Sequence, residues 1–386
     1  MAIEAETVSR EELLKRAADL VPVLKERATE AEKLRQIPQA TIDDLRALGL
    51  VRVGNPHRFG GYGGADMDLY FEIDMELGRA CGSTAWCYSV WSSHNWMIGH
   101  WPLKAQEEYF AAGPDVLSSS AFAMLGRLQP VEGGFRLSGR WDFSSGSDAA
   151  TWAMLGAMGP MGPCMVLVPR SDYEIVDTWF VSGLRGTGSK DIEIKDAFVP
   201  AHRVAALMLP GYDSPGFEAH GRPSYRLPTM TLLPFTLCSP LVGMAQGMLD
   251  AFAEKFQGKT GPGRTAESMA IQARIAESSA EIDAARLIVE TTPRGVLKRA
   301  AQGELPNQLE QAKVRRDYGF VAKLCLQAAN RLFEASGGHA LYDSSPLQRF
   351  HRDVHAGAHQ VALYWDSIAE GYGRAALGLP PLDPFR

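Results

Sequence analysis

Apolar positions near the start of the chain recur at helical spacing. Leu13, Ala17, Leu20, Leu24, Ala28 and Ala31 follow one another three or four residues apart, which predicts one buried face of a long helix. Ser9 and Glu12 have the spacing of a capping box ahead of it. Pro22 falls inside the pattern and predicts a kink or a split. Ala40 to Leu48 reads as a short second helix stopped by Gly49. The run Phe59-Gly60-Gly61-Tyr62-Gly63-Gly64 predicts a turn, and a third helix is expected from about Asp68 to Arg79. Alanine and tryptophan then dominate as far as Trp101, without strand alternation.

The middle of the chain changes period. Val116 to Phe122, Arg136 to Phe143, Thr151 to Ala157, Met165 to Pro169, Glu174 to Phe180 and Asp191 to Val199 read as strands. Glycine and proline punctuate them at Gly133-Gly134, at Gly159 to Pro163 and between Gly183 and Gly188. Short strands at this spacing predict a compact β-barrel or sandwich.

Helical spacing returns in the last third. Ile271, Ile275, Ile282, Ala285 and Val289 form a single apolar stripe. Further helices are expected over roughly Leu305 to Ala335 and Pro346 to Ala376, and a buried helix is expected to start at Ser239-Pro240. The predicted architecture is therefore α+β and multidomain: an N-terminal α domain over 1–115, a central β-barrel domain over 116–225 and a C-terminal four-helix bundle over 226–386.

Composition narrows the function classes. A net charge of −6 with no lysine-rich stripe argues against a nucleic-acid partner. Leu227 to Leu249 carries no charge and is long enough to span a bilayer, but Pro228, Pro234 and Pro240 make it poor material for a lone membrane helix, so no membrane is expected. The five cysteines are scattered without a C-x-x-C pair, and the acidic first residues lack a signal-peptide core, so free thiols in the cytoplasm are expected. His351, His355 and His359 look like metal ligands, but the outer two would lie about 12 Å apart along a helix, so no metal is expected.

Phe59 to Gly63, the segment GRWDFSSG (139–146), the segment GLRGTGSKDIEIKDAFV (183–199), Gly337-Gly338 and Arg352-Asp353 occur in an order and at separations that resemble the acyl-CoA dehydrogenase superfamily over nearly the whole chain. Ser92 to Trp96, Ser118 to Ser120, Trp141 to Asp148 and Pro346 to Ala358 are more similar to the oxygenase components of two-component flavin monooxygenases. These include the p-hydroxyphenylacetate hydroxylases and the hydroxylases of bacterial steroid-ring degradation. The resemblance implies a homotetramer that takes reduced FMN or FAD (FMNH2 or FADH2) from a separate NAD(P)H:flavin reductase. It implies O2 as co-substrate, a C4a-hydroperoxyflavin, and hydroxylation of a phenolic ring. No G-x-G-x-x-G follows a strand, which agrees with a reductase on another chain.

The alternatives are an acyl-CoA dehydrogenase, an N- or S-oxygenating enzyme of the same fold, and an inert flavin-fold binding protein. A dehydrogenase needs a carboxylate to take the substrate's α-proton. Many superfamily members place it eight residues beyond the Arg-Asp pair, where this chain has Val361. The resemblance instead implies catalytic roles for His359, His94 and Ser145. His94 would contact the phenol and accept its proton near neutral pH, with Ser120 and Trp96 also lining the substrate. Trp86, Trp91, Trp96 and Trp101 step about 140° around a helix, so they cannot share a face and most belong to the core. For the cofactor, the resemblance implies Phe143 covering the flavin ring and Ser145 donating to N5, both on one side of a strand. Trp141, Ser144, Gly337 and Gly338 would also bind it. Lys259 takes the place of the usual arginine on the pyrophosphate. Gly186-Thr187-Gly188-Ser189 reads as a turn, because no lysine follows it as in a phosphate loop.

Overall fold

The computed structural model describes residues 8–62, 66–207, 214–258 and 265–380. Gly63, Gly64 and Lys259, with the neighbouring 260–264, lie outside the described residues. Five helices come first: α1 (Arg10–Leu34), α2 (Gln39–Ala47), α3 (Met67–Gly78), α4 (Gly82–Met97) and α5 (Leu103–Tyr109). The Ser9 hydroxyl accepts the Glu12 N–H at 3.2 Å and opens α1, whose buried residues are the six that the apolar spacing selects. Pro22 sits inside α1 and does not divide it.

Seven strands follow: β1 (Ser118–Val131), β2 (Gly134–Ser144), β3 (Trp152–Gly159), β4 (Gly162–Pro169), β5 (Glu174–Val176), β6 (Lys190–Pro200) and β7 (Val204–Ala205). They form one sheet in the order β5-β6-β2-β1-β3-β4-β7, in which only β1 and β3 run parallel. β4 and β6 stand four places apart in that order yet touch, so the sheet curls around a core of its own. Leu137, Trp141, Leu155, Val166, Ile192 and Ile194 fill that core. Alternate residues, Met154, Met165 and Leu167, face the helices and join the main core, the period-two partition of a sheet buried on both sides. β5 is shorter than expected: it stops at Val176, and Asp177 to Phe180 leave the sheet. The two-residue β7 is too short to carry an alternation signal.

After the five-residue α6 (Gly216–His220) come α7 (Phe235–Phe256), α8 (Met269–Ala301), α9 (Gln308–Ser336), α10 (Pro346–Ala358) and α11 (Trp365–Ala376). Two boundaries differ from the sequence reading. α7 begins at Phe235, and Pro240 lies inside it as the sixth residue; the Thr236 carbonyl four residues back, which a proline cannot serve, accepts from the Ser89 hydroxyl instead. The helix expected over Pro346 to Ala376 is two helices, broken after Ala358 by a turn over residues 359–364. The apolar stretch around α7 passes a length-and-hydropathy test for a membrane helix, but 89% of that window is buried inside the protein, so it is a core helix.

α7 reaches the core because it lies directly on the α3 backbone. A Cβ at Gly243 would stand 2.3 Å from the Met75 carbonyl oxygen, and one at Gly78 would stand 2.8 Å from that of Pro240. We expect Gly243→Ala to destabilise the protein by about 2–3 kcal/mol, since neither backbone can yield cheaply. Gly371→Ala on the outer face of α11 meets nothing within 4 Å and should be neutral or stabilising by up to about 1 kcal/mol. Chemical denaturation of the two variants checks both signs.

Candidate active site

The candidate site is assembled where the end of β2 meets the loop between β5 and β6. Phe143 has φ of +60°, a left-handed conformation that costs a non-glycine residue energy. The β2–β6 register shifts between Trp141 and Ser144, and the Ser145 N–H turns back to the Phe143 carbonyl at 3.1 Å. The strand alternation expected through Phe143 and Ser145 therefore fails. Phe143 is 66% exposed, whereas Ser145, in the turn beyond β2, is 7% exposed. The exposed ring makes an edge contact with Trp179, centroids 6.0 Å apart.

The loop from Gly183 to Ser189 packs under this turn. Leu184 is also left-handed, φ +51°, and its N–H donates to Oδ1 of the buried Asp353 on α10 at 2.6 Å. The Gly186 N–H donates to the Ser83 hydroxyl on α4 at 3.1 Å. A Cβ at Gly183 would stand 2.1 Å from the Arg352 carbonyl oxygen, so the loop lies on α10 without a gap. The Leu184 carbonyl accepts from Trp179 Nε1 at 3.0 Å and from the Thr187 hydroxyl at 2.8 Å. The Thr187 and Ser189 hydroxyls are 2.7 Å apart, as are those of Ser189 and Ser145, and Trp86 Nε1 donates to Ser145 at 3.2 Å.

His94 lies on α4 two turns beyond Trp86, buried against β1. Its Nδ1 is 2.7 Å from the Ser118 carbonyl, which can only accept, so Nδ1 carries the hydrogen and Nε2 keeps its lone pair. Burial lowers its pKa to about 4, partly opposed by that hydrogen bond. A neutral imidazole at physiological pH follows, so the reading of His94 as a proton acceptor near neutrality gives way to a hydrogen-bond acceptor. Ser120, two residues along β1 from Ser118, is half-buried opposite Met154 on the helix-facing side.

His359 is exposed at the C-terminal cap of α10, where Nδ1 donates to the His355 carbonyl at 2.6 Å. A Cβ at Gly357, two residues earlier, would stand 3.0 Å from the Trp86 ring. The end of α10 is thus beside the residue that touches Ser145. Val361, where a dehydrogenase would carry its base, is 80% exposed in the following turn.

Two expected residues, Trp141 and Trp96, are placed elsewhere. Trp141 is enclosed in the core of the sheet, with Nε1 donating to the Gly156 carbonyl at 2.7 Å, so it cannot touch a cofactor in the cleft. Trp96 points away from His94, since two residues turn a helix by about 200°. It donates to the Ser224 hydroxyl at 2.9 Å and stacks on Tyr225, which makes it a core residue rather than a substrate contact. Gly337 and Gly338 form an exposed turn after α9, with open space at both Cα atoms. The sequence reading missed Thr187, Ser189, Trp179 and Asp353 as parts of the site. Their only signal was the turn chemistry of Gly183 to Gly188 and the Arg-Asp pair.

The remaining groups fit a flavin. The buried Ser144 hydroxyl has no hydrogen-bond partner, Ser145 has a lone pair to spare, and Phe143 presents an open aromatic face beside them. A planar, polar-edged ring satisfies all three.

Known proteins match the chain over nearly its whole length. The family model described as acyl-CoA dehydrogenase, N-terminal domain, matches residues 8–113, and that for the C-terminal domain matches residues 235–364. The chain is 38% identical to the oxygenase subunit HsaA of a flavin-dependent monooxygenase from Rhodococcus jostii, over 96% of this chain and 99% of that protein. It is 34% identical to the oxygenase component of an FADH2-dependent resorcinol hydroxylase from a Rhizobium species, over 98% and 97% of the two chains. The crystal structure of 3-HSA hydroxylase from Rhodococcus sp. RHA1 superposes with a TM-score of 0.93 at 36% identity, covering 97% of this chain and 99% of that one.

The buried Asp353 gives the site a pH-dependent element. Burial raises its pKa to about 6, above the ordinary 3.8. The folded state therefore favours the proton, and the stabilisation that protonation contributes is complete below about pH 4 and lost as pH rises through 6. Asp353→Asn keeps an acceptor for the Leu184 N–H without the buried charge. Relative to the parent it should gain about 1.4 kcal/mol between pH 5 and pH 8 in urea unfolding.

Proposed function

We propose, from the premise that this chain belongs to the acyl-CoA-dehydrogenase-like oxygenase components of flavin-dependent monooxygenases, that it hydroxylates a phenolic ring ortho to the hydroxyl. The flavin reaches it already reduced, as FMNH2 or FADH2 from a separate NAD(P)H:flavin reductase. When bound, that flavin supplies the two electrons with which O2 delivers one oxygen atom to the ring and the other to water. Phe143 covers one face of the flavin, and Ser144 and Ser145 hold its edge.

The observation that carries the reading is the state of His94: buried, neutral and anchored by Nδ1, with Nε2 left to accept a bond from a phenolic O–H. An accepted hydrogen bond moves electron density into the ring and favours attack at the ortho carbon. It also fixes which carbon faces the flavin. Ser120, on the same side of β1 as Ser118, binds the far side of the substrate. His359, exposed at the C-terminal end of α10, is the second catalytic histidine. Where many dehydrogenases of the superfamily carry their carboxylate base, this chain has Val361, whose side chain cannot accept a proton.

We further propose a homotetramer packed through the C-terminal helices. The exposed Leu341, Tyr342, Val361, Tyr364 and Leu377 are large apolar side chains in the turns that join and follow α9, α10 and α11. The five buried cysteines are all free thiols, which suits the reducing cytoplasm.

The test supplies reduced flavin and a panel of phenols in aerated buffer and measures product formed per flavin oxidised. His94→Ala should lower product formation about 100-fold, the scale of losing a contact that fixes the substrate's position against the reacting group. Ser145→Ala and His359→Ala should divert at least ten times more of the flavin to hydrogen peroxide, with thermal unfolding little changed. Full coupling in all three variants would refute the assignment.

A further inference from the structure

We infer that Thr187 and Ser189 are positioning residues that fix the direction of the Ser145 hydroxyl, so that the site prefers a flavin carrying hydrogen on N5 to an oxidised one. This rests on the reading of Ser145 as the residue beside N5.

The direction follows from counting protons. Each hydroxyl has one hydrogen to give, a carbonyl oxygen has none, and an indole N–H only donates. The Thr187 hydrogen goes to the Leu184 carbonyl at 2.8 Å. Ser189 must then donate to Thr187 across 2.7 Å, and Ser145 must donate to Ser189 across 2.7 Å. Trp86 donates to Ser145 at 3.2 Å and takes one of its two lone pairs. What Ser145 has left for a ligand is one lone pair and no hydrogen.

That remainder distinguishes the two redox states. N5 of a reduced flavin bears a hydrogen and donates to the free lone pair. N5 of an oxidised flavin is itself a lone pair, which would meet Ser145 without a hydrogen between them. All three hydroxyl residues are buried, so water does not supply the missing donor. Binding the oxidised form well requires reversing the chain, which gives up the Thr187 bond to Leu184. The difference is one net hydrogen bond, about tenfold in affinity.

The test measures dissociation constants of oxidised and, anaerobically, reduced FMN and FAD, with thermal unfolding as a check on folding. The parent should bind the reduced form more tightly. Ser189→Ala releases the Ser145 hydrogen, and Thr187→Val removes the acceptor that orients Ser189. Each should lower the ratio of oxidised to reduced dissociation constants about tenfold, chiefly by tightening the oxidised form. The bound-flavin potential should fall by about 30 mV, the two-electron equivalent of that factor. Thr187→Ser preserves both bonds and should keep the parent ratio. An unchanged ratio in both folded variants, or equal weakening of both forms, would overturn the inference while leaving the flavin site in place. A parent that binds neither form would overturn the site reading and this inference together.

Discussion

The hydrogen bond from the Leu184 N–H to the Asp353 carboxyl joins segments 169 residues apart, and the site is organised around it. It pins the β5–β6 loop to α10 while Ser83 pins the same loop to α4. Leu184 is left-handed at this point, and its carbonyl accepts from Trp179 on the rim and from both the hydroxyl and the backbone N–H of Thr187 within. The exposed aromatic face and the buried hydroxyl chain thus share one anchor. A buried carboxyl is a costly anchor in an apolar setting, and the raised pKa of Asp353 records that cost.

The same frame separates oxygenation from dehydrogenation. Removing an α-proton demands a carboxylate close to the flavin, and at the position where many superfamily members carry it the chain offers a hydrocarbon, Val361. Hydroxylating a phenol demands orientation and an electron-rich ring. In the proposed site a neutral histidine on a rigid helix would supply the first and assist the second. In that role the burial that keeps His94 neutral would matter, because an imidazolium would donate to the phenol oxygen and withdraw density from the ring.

Much of the architecture was legible in the sequence because it rests on periodicity. The α1 stripe, the six longer strands and the α8 stripe each announce a buried face. Boundaries set by tertiary contact were not legible: Pro240 lies inside α7 because the packing of α7 on α3 overrides the capping signal, and α10 ends early, with its Gly357 pressed against Trp86. The site divides in the same way. Residue type and motif pointed to His94 and Ser145. The left-handed kink at Phe143 broke the alternation argument, and the enclosure of Trp141 within the sheet could not be read from a strand that alternates on both faces. Thr187 and Ser189 looked like turn residues, and their role emerges only when each hydroxyl's hydrogen is followed to its acceptor.

The central claim is that this chain transfers an oxygen atom from O2 to an aromatic ring with reduced flavin as the electron source. Single turnover with reduced flavin, a phenol and 18O2 in ordinary water, followed by mass spectrometry of the product, tests it most directly. The account predicts a catechol carrying one 18O atom in the new hydroxyl. A product without 18O, or peroxide release with every phenol alongside bleaching of oxidised flavin by an acyl thioester, would contradict it.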